Sequence, residues 1–208
     1  MARIERPTVK IAAAALLAPV AILMQILPPL FLTPWSMRID LVAVPWILCW
    51  IVFGLRTSLL CVLISAPLVG VLGPAAGGLV GMVMKSVASV WMFLIPAIFA
   101  HKVGGVQKLL ENKLLFGLAV LGALIIRALV TVIFNFYFAL PIFFGMSPDA
   151  ILGFFTAWQS FIGKSFGLIG LGAYIAEIAF WNTVQGIIDI FVSSALGIIV
   201  LRRLAIKH

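Results

Sequence analysis

From Leu114 to Leu140 the chain carries a single charged residue, Arg127, and comparable apolar runs recur along its whole length. About 20 such residues suffice for a helix to cross a bilayer. The runs lack the alternation of a strand, so the crossing elements are expected to be helices, which satisfy their own backbone hydrogen bonds. A soluble domain is excluded: 64% of the residues are hydrophobic and only 10% charged, too few to wet a surface. The net charge of +8 is spread between the runs rather than gathered in a stripe, which argues against a nucleic-acid partner and for anchoring at a lipid bilayer. Cys49 and Cys61 lie within apolar runs and read as small core residues.

Charges and turn residues divide the chain into six expected spans, at about 9–32, 41–55, 57–72, 78–100, 114–140 and 174–201. A single helix over 41–72 would bury Arg56 near mid-bilayer at about 3 kcal/mol, so a tight hairpin at Gly54–Thr57 is expected instead. Residues 143–172 are apolar yet broken by Gly145, Pro148, Asp149 and Lys164, and read as an ordered outer loop with a partly embedded helix. The basic residues orient the chain. With both termini cytoplasmic, Arg3, Arg6, Lys10, Arg56, Lys102, Lys108, Lys113, Arg202, Arg203 and Lys207 lie inside, and only Arg38 and Lys164 outside. The first apolar run is longer than a secretory signal requires, and a retained helix is expected. The whole is read as one all-α transmembrane domain.

Polar residues within apolar spans carry the functional reading, because charge in hydrocarbon is costly. Arg127 and Asp189 fall at about the same depth, roughly 20 Å from the outer face, and are expected to pair, chiefly as structural glue. Asn182, Gln185 and Asp189 share one face of the sixth span. With Asn135, Lys85 and Asp40 they are candidates to line an outward-facing ligand pocket. Trp46, Trp91, Phe134, Tyr137 and Trp181 stand at similar levels and are candidates to stack on a planar ligand; the alternative is the ordinary interfacial belt. Ala14-x-x-x-Ala18 and Gly73-x-x-x-Gly77-x-x-x-Gly81 permit close helix approach. Gly163-Lys164-Ser165 lacks the glycine a phosphate loop needs, where Trp158 stands, and His101 and His208 are the only histidines. No nucleotide, metal or catalytic motif follows, so neither a cofactor nor an enzymatic activity is expected.

Three segments resemble the substrate-binding S components of energy-coupling factor (ECF) vitamin transporters, the riboflavin-binding type in particular. They are Met37–Pro45 with Phe53-Gly54, Asn135–Pro141, and Phe180–Ile188. The similarity runs in order through nearly the whole chain. It departs at Gln185, where riboflavin binders usually carry Lys, and in the longer loop 145–172. The resemblance implies uptake of a vitamin, riboflavin first, in company with a transmembrane coupling subunit and two ATPase subunits. By position it implies Asn135 and Asn182 as ligand contacts, Gln185 in place of the Lys, Asp40 at the pocket mouth, and Ala14 and Ala18 as the docking strip. An ion-coupled secondary transporter using Asp189 and Arg127, or a membrane scaffold, are the other classes compatible with the residues.

Overall fold

A computed structural model describes residues 6–33, 35–72, 78–157 and 161–206. Among these the architecture is all-α apart from one two-residue ribbon. In order come α1 (Pro7–Ile26), β1 (Phe31–Leu32), β2 (Arg38–Ile39), α2 (Ala43–Phe53), α3 (Leu55–Leu72), α4 (Gly78–Ser89) and α5 (Trp91–Val103). They are followed by α6 (Val106–Glu111), α7 (Lys113–Phe134), a π-helical turn (Asn135–Ala139), α8 (Leu140–Phe144), α9 (Pro148–Ala157), α10 (Phe161–Phe166) and α11 (Gly170–Ile206).

Five helical stretches are long and apolar enough to cross a membrane: Pro7–Ile26, Leu55–Leu72, Gly78–Val103, Lys113–Phe144 and Gly170–Arg203. They present large apolar side chains outward, among them Leu16, Leu63, Leu114 and Phe191, each more than 70% exposed. Apolar surface so extensive suits lipid, not water.

The second expected span, at 41–55, is different. α2 has only 11 residues, about 16 Å of helix, roughly half the hydrocarbon thickness. All but Leu48 and Phe53 are buried, so α2 is a core helix apolar on every side. Its end is set by Gly54, whose φ of 92° only glycine adopts freely, and α3 begins at the next residue. Ser58 Oγ donates to Trp46 O at 2.7 Å and Trp46 Nε1 to Ser65 Oγ at 2.8 Å, so α3 folds back along α2 as the expected hairpin.

Other boundaries differ from expectation. The first helix stops at Ile26 rather than at residue 32, because Pro28 and Pro29 cannot continue it. The chain instead turns back as a ribbon pairing Phe31 with Ile39 and Leu32 with Arg38. Arg38 Nη2 donates to the last-turn carbonyls Gln25 O (3.2 Å) and Leu27 O (2.8 Å), capping α1. The fifth stretch runs past residue 140 to Phe144. Pro141 removes a hydrogen bond and crowds the carbonyl four residues back, and the widened π turn just before it absorbs that crowding, with Leu140 N bonding Asn135 O. The sixth extends from 170 to 206. Within 143–172, α9 lays Ile151 and Phe155 against Tyr174 and Ile178 of α11, forming with Trp35 and Leu140 a second apolar cluster at the ribbon end. Gly73 and Gly77 lie outside the described residues, as do Arg3, Trp158, Lys207 and His208.

α11 passes close to its neighbours at two glycines. A Cβ on Gly197 would stand 2.6 Å from Ile51 Cγ2, and one on Gly186 2.6 Å from Leu124 Cδ2. Ile51 is β-branched and stiff, whereas the tip of Leu124 can turn away. Gly197→Ala is therefore expected to cost about 1–3 kcal/mol as overpacking, and Gly186→Ala less than half of that, read from thermal unfolding in detergent.

Candidate ligand-binding cavity

Arg127, Thr131 and Asn135 recur at intervals of four, so they form one stripe along α7 into the π turn. Asn182, Gln185, Asp189 and Ser193 form the facing stripe on α11. The two stripes join where Arg127 Nη1 meets Asp189 Oδ2 at 3.1 Å, both side chains at most 3% exposed. Gln185 Nε2 donates to the other oxygen, Asp189 Oδ1, at 2.7 Å.

The same amide grips the backbone of Asp40: Nε2 also donates to Asp40 O at 2.7 Å, and Oε1 accepts from Asp40 N at 3.0 Å. Both N–H donors of the Gln185 amide and one lone pair of its oxygen are thus spent on protein. The Asp40 carboxylate starts α2 by accepting from Val42 N at 3.1 Å and takes Lys85 Nζ on its second oxygen, with Arg38 Nε 3.8 Å away. Lys85 also donates to Gln25 Oε1 at 2.7 Å. A continuous polar chain therefore runs from Gln25 on α1 through Lys85, Asp40, Gln185 and Asp189 to Arg127 on α7.

This chain forms part of the wall of a cavity of about 300 Å³ beneath the ribbon, at the lower end of the range for small-molecule sites. Asp40, Lys85, Asn135, Asn182 and Gln185 all line it, as does Arg127. Asn135 Nδ2 donates to Thr131 O at 2.8 Å, and Asn182 Nδ2 to Ile178 O at 3.0 Å, with a longer contact to Met37 Sδ at 3.7 Å. Each amide is held by its nitrogen, and neither amide oxygen accepts a hydrogen bond among the described residues. Trp35, Met84, Phe143 and Phe144 supply apolar wall.

The expected aromatic candidates stand elsewhere. Trp46 is wholly buried in the main core, bonded to Ser65. Trp181 stacks on Phe31 (centroids 4.9 Å, 17°) and donates to Glu177 Oε1 at 2.8 Å. Tyr137 is 72% exposed, Phe134 is also outward, and Trp91 lies on α5 away from the wall. Counting along a helix gives depth but not direction, and these rings are at the right level on the wrong side. The rings that do line the cavity come from the ribbon turn and α8, whose folding back the apolar pattern does not announce. Arg38 and Glu177 were likewise not singled out by spacing. Ala14 and Ala18 are fully buried, because α1 packs on α3 and α2 through them. In this structure the strip packs within the chain.

The chain matches no protein-family model, no curated protein and no solved structure.

The Arg127–Asp189 pair invites a double-mutant cycle. Asp189→Ala strands a buried guanidinium and is expected to cost about 3–5 kcal/mol, whereas Arg127→Met with Asp189→Leu, which removes both charges, should cost clearly less than the sum of the single changes. Reversible unfolding in mixed micelles measures both.

Proposed function

We propose that the chain is a six-crossing membrane protein that captures a small planar solute from outside the cell, as the S component of an ECF-type vitamin transporter, with riboflavin the first candidate. The observation that carries this reading is the meeting of Asp40, Lys85, Asn135, Asn182 and Gln185, drawn from four separate segments, on one cavity. Two amide oxygens free to accept from a ring N–H, beside flat apolar walls, suit a heterocycle that must be recognised by few hydrogen bonds. In the proposed cycle a separate transmembrane coupling subunit and two ATPase subunits deliver the solute inward.

The topology proposed places both termini in the cytoplasm. Taken in antiparallel order, with the α2–α3 hairpin counted as two passes, Arg6, Lys10, Arg56, Lys102, Lys108, Lys113, Arg202 and Arg203 gather at the end opposite the cavity. That bias favours this end as cytoplasmic. α2 is too short to cross alone, and the ribbon segment before it fills the remaining depth.

Tags at residues 1 and 208 should be shielded in intact cells, and a tag beside Asp149 accessible; labelling of either terminus from outside would exclude the topology. Purified protein should carry or bind a yellow flavin. Asn135→Ala and Asn182→Ala should each weaken binding about five- to a hundred-fold, the penalty for a lost partner in a dry site, with the protein still inserted. Affinity indifferent to both positions would remove the cavity as the binding site.

A further inference from the structure

The cavity wall is not electrically balanced. Three cations line it, Arg38, Lys85 and Arg127, against one lining carboxylate, Asp40. Asp189, behind Arg127, is the second carboxylate, and one positive charge remains unmatched. The next acid on α11, Glu177, is turned away, accepting from Trp181 Nε1 at 2.8 Å and from Ile162 N at 3.0 Å. It does not line the cavity.

Arg38 and Lys85 share Asp40, and the surplus charge lies in that group; Arg127 is matched in charge by Asp189 but only half paired in hydrogen bonds. Arg127 is 2% exposed, and its single hydrogen bond among the described residues goes from Nη1 to Asp189. Nε is buried with no acceptor, and Nη2 donates to nothing described. A half-paired guanidinium in a low-dielectric site is unfavourable. The unpaired Nε–Nη2 edge is the planar fork that takes a carboxylate through two parallel hydrogen bonds. Asn135 lies eight residues along the same stripe, about 12 Å away at helical rise. That span fits a ring compound with its acid group at one end and ring N–H donors at the other, facing the free amide oxygens.

We propose that the cavity binds a ring-bearing organic monocarboxylate, its acid group on the Nε–Nη2 edge of Arg127 and its ring between Asn135, Asn182 and the Trp35–Phe144 wall. This rests on reading the cavity as a solute site and changes the class of solute, from a neutral flavin to a singly charged acid.

The test titrates purified protein in nanodiscs with riboflavin, with oleate, and with matched ring acids and their amides: indole-3-acetate and pterin-6-carboxylate. At least one acid should bind at least about tenfold more tightly than its amide, as expected for a charge-assisted fork. Arg127→Lys, which keeps a cation beside Asp189 but loses the fork, should weaken that acid about tenfold and its amide less than twofold. Binding of riboflavin or an amide with no acid preferred overturns the inference and leaves the solute site standing. Binding of nothing, riboflavin included, removes both. Equal loss of acid and amide in Arg127→Lys, or tighter binding of oleate than of any ring acid, also overturns it. If Arg127→Lys fails to fold, the acid-to-amide ratio of the parent protein decides alone.

Discussion

The grip of Gln185 on the backbone of Asp40 is the contact around which the ribbon end of the molecule is organised. A side-chain amide that both donates to and accepts from one residue's backbone holds that residue much as a neighbouring strand would. Once Asp40 is fixed against α11, its carboxylate can cap α2, meet Lys85 from α4 and stand near Arg38 from the ribbon. Arg38 in turn closes the end of α1. Loss of this one amide would leave two backbone groups and a carboxylate oxygen without partners in a dry interior, where each stranded group costs about 1–3 kcal/mol.

The polar chain also explains how charge is tolerated where the surroundings are apolar. Asp189 takes a cation and an amide on separate oxygens, and Asp40 takes a backbone N–H and an ammonium. Satisfied in this way, the acids link α1, α4, α7 and α11. Unpaired polar atoms remain beside the cavity at Arg38 Nε, Arg127 Nε and the two asparagine oxygens, and away from it at Ser86, Trp91 and Ser194.

Much of the fold could be read from the residues because membrane helices obey a simple rule of apolar length. The crossing stretches, the reversal at Gly54 and the partnership of Arg127 with Asp189 all follow from run length, glycine and depth. The candidate polar residues were legible for the same reason, since each is costly where it stands. What depth leaves open is rotation about the helix axis and the path of the chain between helices. Trp46 and Trp181 therefore sit at the right height but face the core and Phe31. Ala14 and Ala18 show the same ambiguity: a small-residue strip fits any close helix, and here the close helices belong to the chain itself. The ribbon and the π turn depend on prolines whose tertiary consequence is not local, and so Trp35, Arg38, Phe143 and Phe144 come into the wall unannounced.

An amide rather than a cation at position 185 has a physical reason in this arrangement. Lys85 already brings an ammonium to Asp40 from α4, and Arg127 brings a guanidinium to Asp189. A lysine at 185 would add a fourth cation to a site that has two carboxylates, and it would lose the acceptor that Asp40 N requires. An amide avoids both costs, since it accepts as well as donates and carries no charge. The ammonium that meets Asp40 comes from α4 rather than from α11. Positions 185 and 85 meet at one residue, since Lys85 takes the Asp40 carboxylate while Gln185 holds its backbone.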